Sequence, residues 1–213
     1  MTQRQYDALL LDIGDVITAP VWDQFDELEH AIGRPIVGRG PGDPDDDLWL
    51  QHEQGEIGFV EYWERLAQRN GFADWRDLFR QLGNHLPHRF GDPEAYELMA
   101  DARTAGYKVG VLTNDGVAIN GFEFFDGIPE FQALDAFVDA RANGFAKPDP
   151  EPYLRAADEL DVAPARVIFL DDAQACVDGA ERVGMTAVRV NPVDKRPAFA
   201  RTRSLLGIPS TKG

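Results

Sequence analysis

Four groups of polar residues stand at the ends of apolar runs or in a stiffened loop, and their types suit phosphoryl transfer. The run Ala8-Leu9-Leu10-Leu11 ends on Asp12, Ile13 and Gly14. A second run, Val109 to Leu112, ends on Thr113-Asn114-Asp115-Gly116. Lys147 precedes Pro148-Asp149-Pro150, where proline restricts the backbone and holds the ammonium in one direction. A third run, Val167 to Leu170, ends on the adjacent carboxylates Asp171 and Asp172. A carboxylate such as Asp12 can attack phosphorus to give an aspartyl-phosphate that water later hydrolyses, so one difficult displacement becomes two. Thr113 and Asn114 can hydrogen-bond the oxygens of a transferring phosphoryl group. Lys147 can neutralise Asp12 and the incoming phosphate. Asp171 and Asp172 repel each other unless a cation or hydrogen bonds offset the cost. With Asp12 and a main-chain carbonyl they offer the few oxygens that Mg²⁺ usually takes from protein. Each signal alone also fits a helix cap, a turn or a solvated loop; the ordered set of four favours chemistry.

Those residues need elements to bring them together. Strand-like runs at Ala8–Leu11, Lys108–Leu112, Val167–Leu170 and Ala187–Val190 alternate with helix-like segments at Pro93–Ala105, Pro150–Leu160 and Ala173–Val183. This β-α-β rhythm predicts an α/β fold with a parallel sheet. Ligands of such sheets bind beyond the carboxyl ends of the strands, where Asp12, Thr113 and Asp171-Asp172 fall. The expected core is 1–17 with 90–213. The stretch 18–89 is too long for a simple crossover and reads as an inserted small α-helical cap. It holds Trp49, Trp63 and Trp75, and Phe59 to Arg69 carries apolar residues at near-helical spacing. Gly38 to Asp47, rich in Gly, Pro and Asp, reads as a mobile acidic surface loop within that cap.

Composition narrows the function. The chain has 213 residues, enough for one α/β domain with an insertion. A net charge of −16 argues against nucleic acid and anionic membrane as partners, since both are bound through clustered Lys and Arg. An anionic substrate would need a divalent cation, Lys147 and helix N-termini to supply positive potential. No run approaches the ~18 apolar residues of a membrane span, and the N-terminus shows no signal-peptide pattern, so a cytoplasmic location is expected. The single cysteine, Cys176, allows no internal disulfide and reads as a small buried filler. His30, His52, His85 and His88 show no zinc-like spacing. Whether the chain is a monomer or a homodimer is left open.

The ordered set Asp12, Thr113, Lys147-Pro148-Asp149-Pro150 and Asp171-Asp172, with Gly179-Ala180 and Gly184-Met185 after it, resembles the four motifs of the haloacid dehalogenase superfamily from Tyr6 to Pro192. The resemblance implies a Rossmann-like parallel sheet core. The insertion resembles the helical cap of the subfamily that includes the phosphatase domain of soluble epoxide hydrolase and related sugar phosphatases. His52-Glu53-Gln54-Gly55-Glu56-Ile57 resembles a segment such caps carry. The implied activity is Mg²⁺-dependent hydrolysis of a small phosphorylated metabolite. Asp12, Thr113 and Lys147 would be catalytic, Asn114 would bind substrate, and Asp12, the Gly14 carbonyl, Asp171 and Asp172 would hold the metal. Trp49 and Glu53 are candidates to face substrate, with Glu56 and Trp63, although aromatic residues at helical spacing more often form core. The chain departs from the pattern at Gly14, where relatives usually place an acid/base Asp, and at Cys176, where they usually place Asn or Asp. Two alternatives follow: a catalytically impaired phosphometabolite-binding or protein-interaction module, and a 2-haloacid dehalogenase. The acidic pair weighs against the second, because dehalogenation needs no Mg²⁺.

Overall fold

Strand β1 (Ala8–Leu11) consists of four apolar residues with no solvent exposure, as a strand covered on both faces requires. The structure is a computed structural model that describes residues 4–19, 21–40, 43–86 and 90–209. After β1 a single wide turn spans Ile13–Ile17, closed by the Thr18 amide donating to the Ile13 carbonyl at 2.9 Å. Among the described residues a short 3-10 turn at Trp22–Gln24 and then the α-helices α1 (Phe25–Ile32), α2 (Asp47–Glu53), α3 (Phe59–Arg69) and α4 (Trp75–His85) follow. The chain then forms α5 (Pro93–Thr104), β2 (Lys108–Thr113) and the short helices α6 (Gly116–Asn120), α7 (Phe122–Asp126) and α8 (Pro129–Gln132). It ends with β3 (Ala136–Asp139), α9 (Pro150–Glu159), β4 (Val167–Asp171), α10 (Gln174–Arg182), β5 (Thr186–Arg189) and α11 (Arg196–Leu206).

The five strands form one parallel sheet in the order β3-β2-β1-β4-β5. This is the expected α/β Rossmann-like architecture. Leu11 lies opposite both Val111 and Leu170, and Thr113 lies opposite Asp139. That register ends the strands at one edge, so the residues that follow them share a crevice side. Leu10, Leu112, Tyr153 and Phe169 belong to the apolar cluster on one face. The long crossovers between parallel strands supply the covering helices.

One strand escaped the sequence reading. β3 is four residues long and follows a phenylalanine-rich stretch in which Phe125, Phe131 and Phe137 pack ring to ring. A short edge strand has too few alternations to separate from such a run.

The chain divides into two compact units, residues 1–19 with 91–213, and residues 20–90. The second unit holds α1 to α4. Its interior is aromatic: Trp22 stacks on Trp63 at 5.2 Å between centroids, and Trp49 and Tyr62 meet edge to face at 5.2 Å. Asp46 is fully buried there and accepts hydrogen bonds from the Tyr62 hydroxyl at 3.0 Å, the Gly40 amide at 2.9 Å and the Trp49 amide at 3.1 Å. This corrects the expectation of a solvated acidic loop, because Asp46 anchors the described part of that segment to the unit's core; Pro41 and Gly42 lie outside the described residues. Three donors compensate the desolvation of a carboxylate that would otherwise be costly to bury. Among the described residues no helix is long and apolar enough to cross a membrane.

Candidate active site

Asp12 follows β1 directly, and its amide donates to the Leu170 carbonyl of β4 at 2.9 Å, so the sheet fixes its backbone. Lys147 is buried, and its ammonium lies 2.7 Å from Asp12 Oδ1, 2.7 Å from Asp171 Oδ2 and 3.0 Å from the Leu112 carbonyl. Burial pulls the lysine pKa down, but Asp12 and Asp171 outweigh it and hold the ammonium above its ordinary value. Lys147 therefore stays charged through the physiological range. The second oxygen of Asp171 accepts from the Ala173 amide at 2.9 Å, which leaves that carboxylate oriented at both ends.

Asn114 directs the lysine loop. Its side-chain oxygen accepts from the Lys147 amide at 2.8 Å, and its side-chain amide donates to the Lys147 carbonyl at 3.2 Å. The side chain expected to meet substrate is thus bonded at both ends to the Lys147 backbone. Thr113 is buried at the end of β2, where the Ala140 amide donates to its carbonyl at 2.8 Å. Behind Lys147, α10 approaches closely: a Cβ at Gly179 would lie 2.7 Å from the Tyr153 hydroxyl and 2.8 Å from the Pro148 carbonyl. Only glycine allows this approach without displacing main chain.

Asp12, Asp171 and Asp172 each offer a carboxylate oxygen within 4.8 Å of the others. Burial pushes the Asp12 carboxyl up to about 7, with Lys147 opposing and Asp171 and Asp172 adding to the rise. Asp172 is likewise pushed to about 7, by burial first and then by Asp15 and Asp171. These shifts mark an excess of negative charge, with three carboxylates facing the single Lys147 ammonium. A hard divalent cation fits such an all-oxygen donor set and offsets the excess. Gly14 has φ −61° and is exposed, and among the described residues, chain neighbours aside, a Cβ there would come within 4 Å only of Asp12 Oδ2, at 3.8 Å.

Asp15 has φ +54°, a region uncommon for residues other than glycine but tolerated by Asp, and its amide donates to Thr18 Oγ1 at 2.9 Å. Burial raises its carboxyl to about 6, against the pull of Lys195 and with the push of Asp12. Cys176 is buried in the apolar cluster, and burial pushes its thiol up to about 12, so it stays protonated. This matches the filler reading and removes it as a nucleophile.

Two expected substrate contacts lie in residues 20–90. Trp49 is buried in that unit's aromatic core, with His52 edge-on at 5.1 Å. Glu53 closes α2, and its side chain lies outside the described residues, as does His88.

The haloacid dehalogenase-like hydrolase pattern matches residues 6–184, from before β1 to beyond α10. The chain belongs to this family. It is 33% identical over 211 residues to Phosphatase MT3486 of Mycobacterium tuberculosis, covering 94% of each chain. It is 26% identical over 182 residues to (S)-2-haloacid dehalogenase 1 of a Pseudomonas species, covering 84% of this chain and 73% of that one. A HAD phosphatase from Thermococcus onnurineus shares the fold with a TM-score of 0.58 at 20% identity, covering 94% of this chain and 98% of that one. This protein is therefore a HAD-like hydrolase, and its phosphatase relatives support activity on small phosphorylated substrates.

Sequence reasoning missed two polar groups around this HAD-type site. Asp139, at the end of β3, is buried and accepts from the Val117 amide at 2.8 Å and the Ala142 amide at 3.0 Å, bracing the loop after Thr113. It repeats the signal of a strand ending on Asp, hidden because β3 itself went unread. Lys195 is buried too, and no motif marks it.

Proposed function

We propose that this protein is a Mg²⁺-dependent phosphatase of a small phosphorylated metabolite, acting through an aspartyl-phosphate on Asp12. The observation that carries this reading is the cluster of Asp12, Asp171 and Asp172 around the buried Lys147. A bound Mg²⁺ would be held by Asp12, Asp171, Asp172 and the Gly14 carbonyl, and it would neutralise charge on the phosphoryl group.

Asp12 carries out the attack on phosphorus with Oδ2, since Oδ1 is engaged by Lys147. Attack forms the bond from Asp12 Oδ2 to phosphorus and breaks the bond from phosphorus to the ester oxygen, whose alkoxide takes a proton from solvent; water then attacks phosphorus, gives a proton to solvent and breaks the bond to Asp12, releasing inorganic phosphate and the carboxylate. Lys147 opposes the burial-driven rise of the Asp12 carboxyl and orients it, and it faces the charge that builds as the phosphoryl group transfers. Thr113 supplies a hydroxyl at the end of β2. Asn114 acts as a positioning residue through the main chain of Lys147. Gly14 offers no side chain to protonate the leaving group, so esters with good leaving groups suffer least. Residues 20–90 act as the substrate-selecting cap in this reading, and a sugar phosphate is the favoured substrate class.

Dehalogenation is the second reading, favoured by the match to the Pseudomonas dehalogenase. The three-carboxylate cluster supports phosphatase chemistry over it, because a halide-displacing Asp needs no cation. The test is hydrolysis of p-nitrophenyl phosphate, a panel of sugar phosphates and 2-chloropropionate, with Mg²⁺ and with chelator. Phosphate release that requires Mg²⁺ supports the proposal. Chloride release that ignores chelator supports the alternative.

A further inference from the structure

Lys195 lies at the start of α11, well beyond the family motifs, yet it is 5% exposed and aims at the turn that follows Asp12. Its ammonium donates to the Thr18 carbonyl and, at 3.3 Å, to the Val16 carbonyl. It also lies 3.6 Å from Asp92 Oδ2, on the segment that returns to the core. The other Asp92 oxygen caps α5 by accepting from the Glu94 amide at 2.8 Å, and the Asp92 amide donates to the Ile17 carbonyl at 2.7 Å. An isolated antiparallel bridge joins Thr18 to Gly91. The outgoing and returning segments therefore meet at one buried cation.

Burying a lysine is costly unless its charge is paired and its protons are bonded. A general packing role would be met by an apolar side chain, and these three oxygen partners would then lose a donor. Two of the three, the Val16 and Thr18 carbonyls, lie on the segment that carries Gly14 and Asp15. That turn holds an Asp at φ +54°, a conformation that persists only when its surroundings enforce it.

We infer that Lys195 is a positioning residue: it clamps the turn Ile13–Ile17 to Asp92, and so sets the placement of the Gly14 carbonyl and Asp15 beside the nucleophile. Its effect on turnover rests on the proposed phosphatase reading; its effect on the turn does not. Displacement of a catalytic loop by about 1 Å can cost on the order of a hundredfold in rate, so a clamp at this point has kinetic weight.

The experiment compares the full chain with Lys195→Met, Lys195→Arg and Asp92→Asn. Amide hydrogen exchange is read over residues 13–18 and 91–95 with β4 and α10 as internal references, and kcat and KM are measured on p-nitrophenyl phosphate. In Lys195→Met, exchange over residues 13–18 and 91–95 rises by about tenfold or more while β4 and α10 stay protected. For the same variant kcat falls by about tenfold or more with KM within about twofold, and Lys195→Arg restores most of both. Asp92→Asn keeps the cap on α5 and loosens the same amides, which decides the matter if Lys195→Met fails to fold. Unchanged exchange over residues 13–18 in both Lys195→Met and Asp92→Asn overturns the clamp, as does loss of protection spread evenly over the core. An inactive wild type would sink the phosphatase reading alone, leaving the exchange result to judge Lys195.

Discussion

Lys147 Nζ lies 2.7 Å from Asp12 Oδ1, so the proposed nucleophile and its counter-charge form a buried ion pair at the carboxyl end of β1. The same ammonium reaches Asp171, which ties the end of β1 to the end of β4. Removing it strands two carboxylates in a low-dielectric site. Lys147→Met should lower stability by about 3–5 kcal/mol in metal-free protein, because breaking a buried pair leaves uncompensated charge. Its kcat should fall by about 10²–10³-fold, the scale of losing one preorganised electrostatic partner. Thermal unfolding and p-nitrophenyl phosphate kinetics check both, and a variant with wild-type turnover would exclude Lys147 from the chemistry.

The acidic cluster also sets a pH dependence. Asp12 and Asp172 have folded-state values near 7 and Asp15 near 6, all above the ordinary carboxylate value of 3.8. Between about pH 4 and pH 7 the folded, metal-free protein holds more protons than the unfolded chain, so this contribution is present at low pH and lost as pH rises. Asp172→Asn removes one of these acids. Its metal-free Tm should therefore gain on the wild type between about pH 5 and about pH 7.5, at ~2–4 °C for each kcal/mol. Saturating Mg²⁺ should abolish the wild-type loss over the same range. A Tm difference that stays flat with pH would show that Asp172 titrates as an ordinary exposed acid.

Gly14 leaves space for a Cβ at the position where the sequence resemblance implies an acid/base Asp. Its φ of −61° suits any residue, and among the described residues, chain neighbours aside, a new Cβ would come within 4 Å only of Asp12 Oδ2, at 3.8 Å. Gly14→Asp should fold normally and raise kcat on alkyl phosphates by about 10²-fold or more, the range of general acid catalysis. The gain on p-nitrophenyl phosphate should be smaller, since its leaving group needs little protonation. Equal gains on both substrates, or none, would contradict the view that leaving-group protonation is what Gly14 lacks.

Gly179 tests the support behind the lysine loop. A Cβ at that position would meet the Pro148 carbonyl at 2.8 Å, and main chain cannot yield as a flexible side chain does. Gly179→Ala should cost about 1–3 kcal/mol as overpacking. It should also lower kcat more than it raises KM, because the shifted Pro148 carries Lys147 with it. A stability loss with unaltered kcat would separate α10 packing from the site.

Much of this molecule is legible in its chain because buried parallel strands write themselves as apolar runs. β1, β2 and β4 are such runs, and the abrupt appearance of Asp12, Thr113 and Asp171 marks where each ends, whereas β5 carries only a weak run at Ala187-Val188. β3 is short and embedded among packed phenylalanines, so period-two patterning had nothing to act on. Lys147 announced itself through its prolines. That Asn114 spends its side chain on Lys147 depends on two loops meeting from distant positions, which no local pattern encodes. Asp46 read as one acid among several, and its burial follows only from the folding of Tyr62 and Trp49 around it. Lys195 is an ordinary lysine by spacing and composition, and only the packing of α11 reveals its partners.

Covalent catalysis on Asp12 can be caught in a single turnover with excess enzyme, Mg²⁺ and a phosphate ester, quenched in acid and mapped by peptide mass. One phosphoryl group should appear on the peptide holding Asp12 before free phosphate does, and it should be absent from Asp12→Asn, which should also be inactive. Phosphate released at the wild-type rate by Asp12→Asn, or a phosphoryl group trapped on another residue, would contradict covalent catalysis on Asp12.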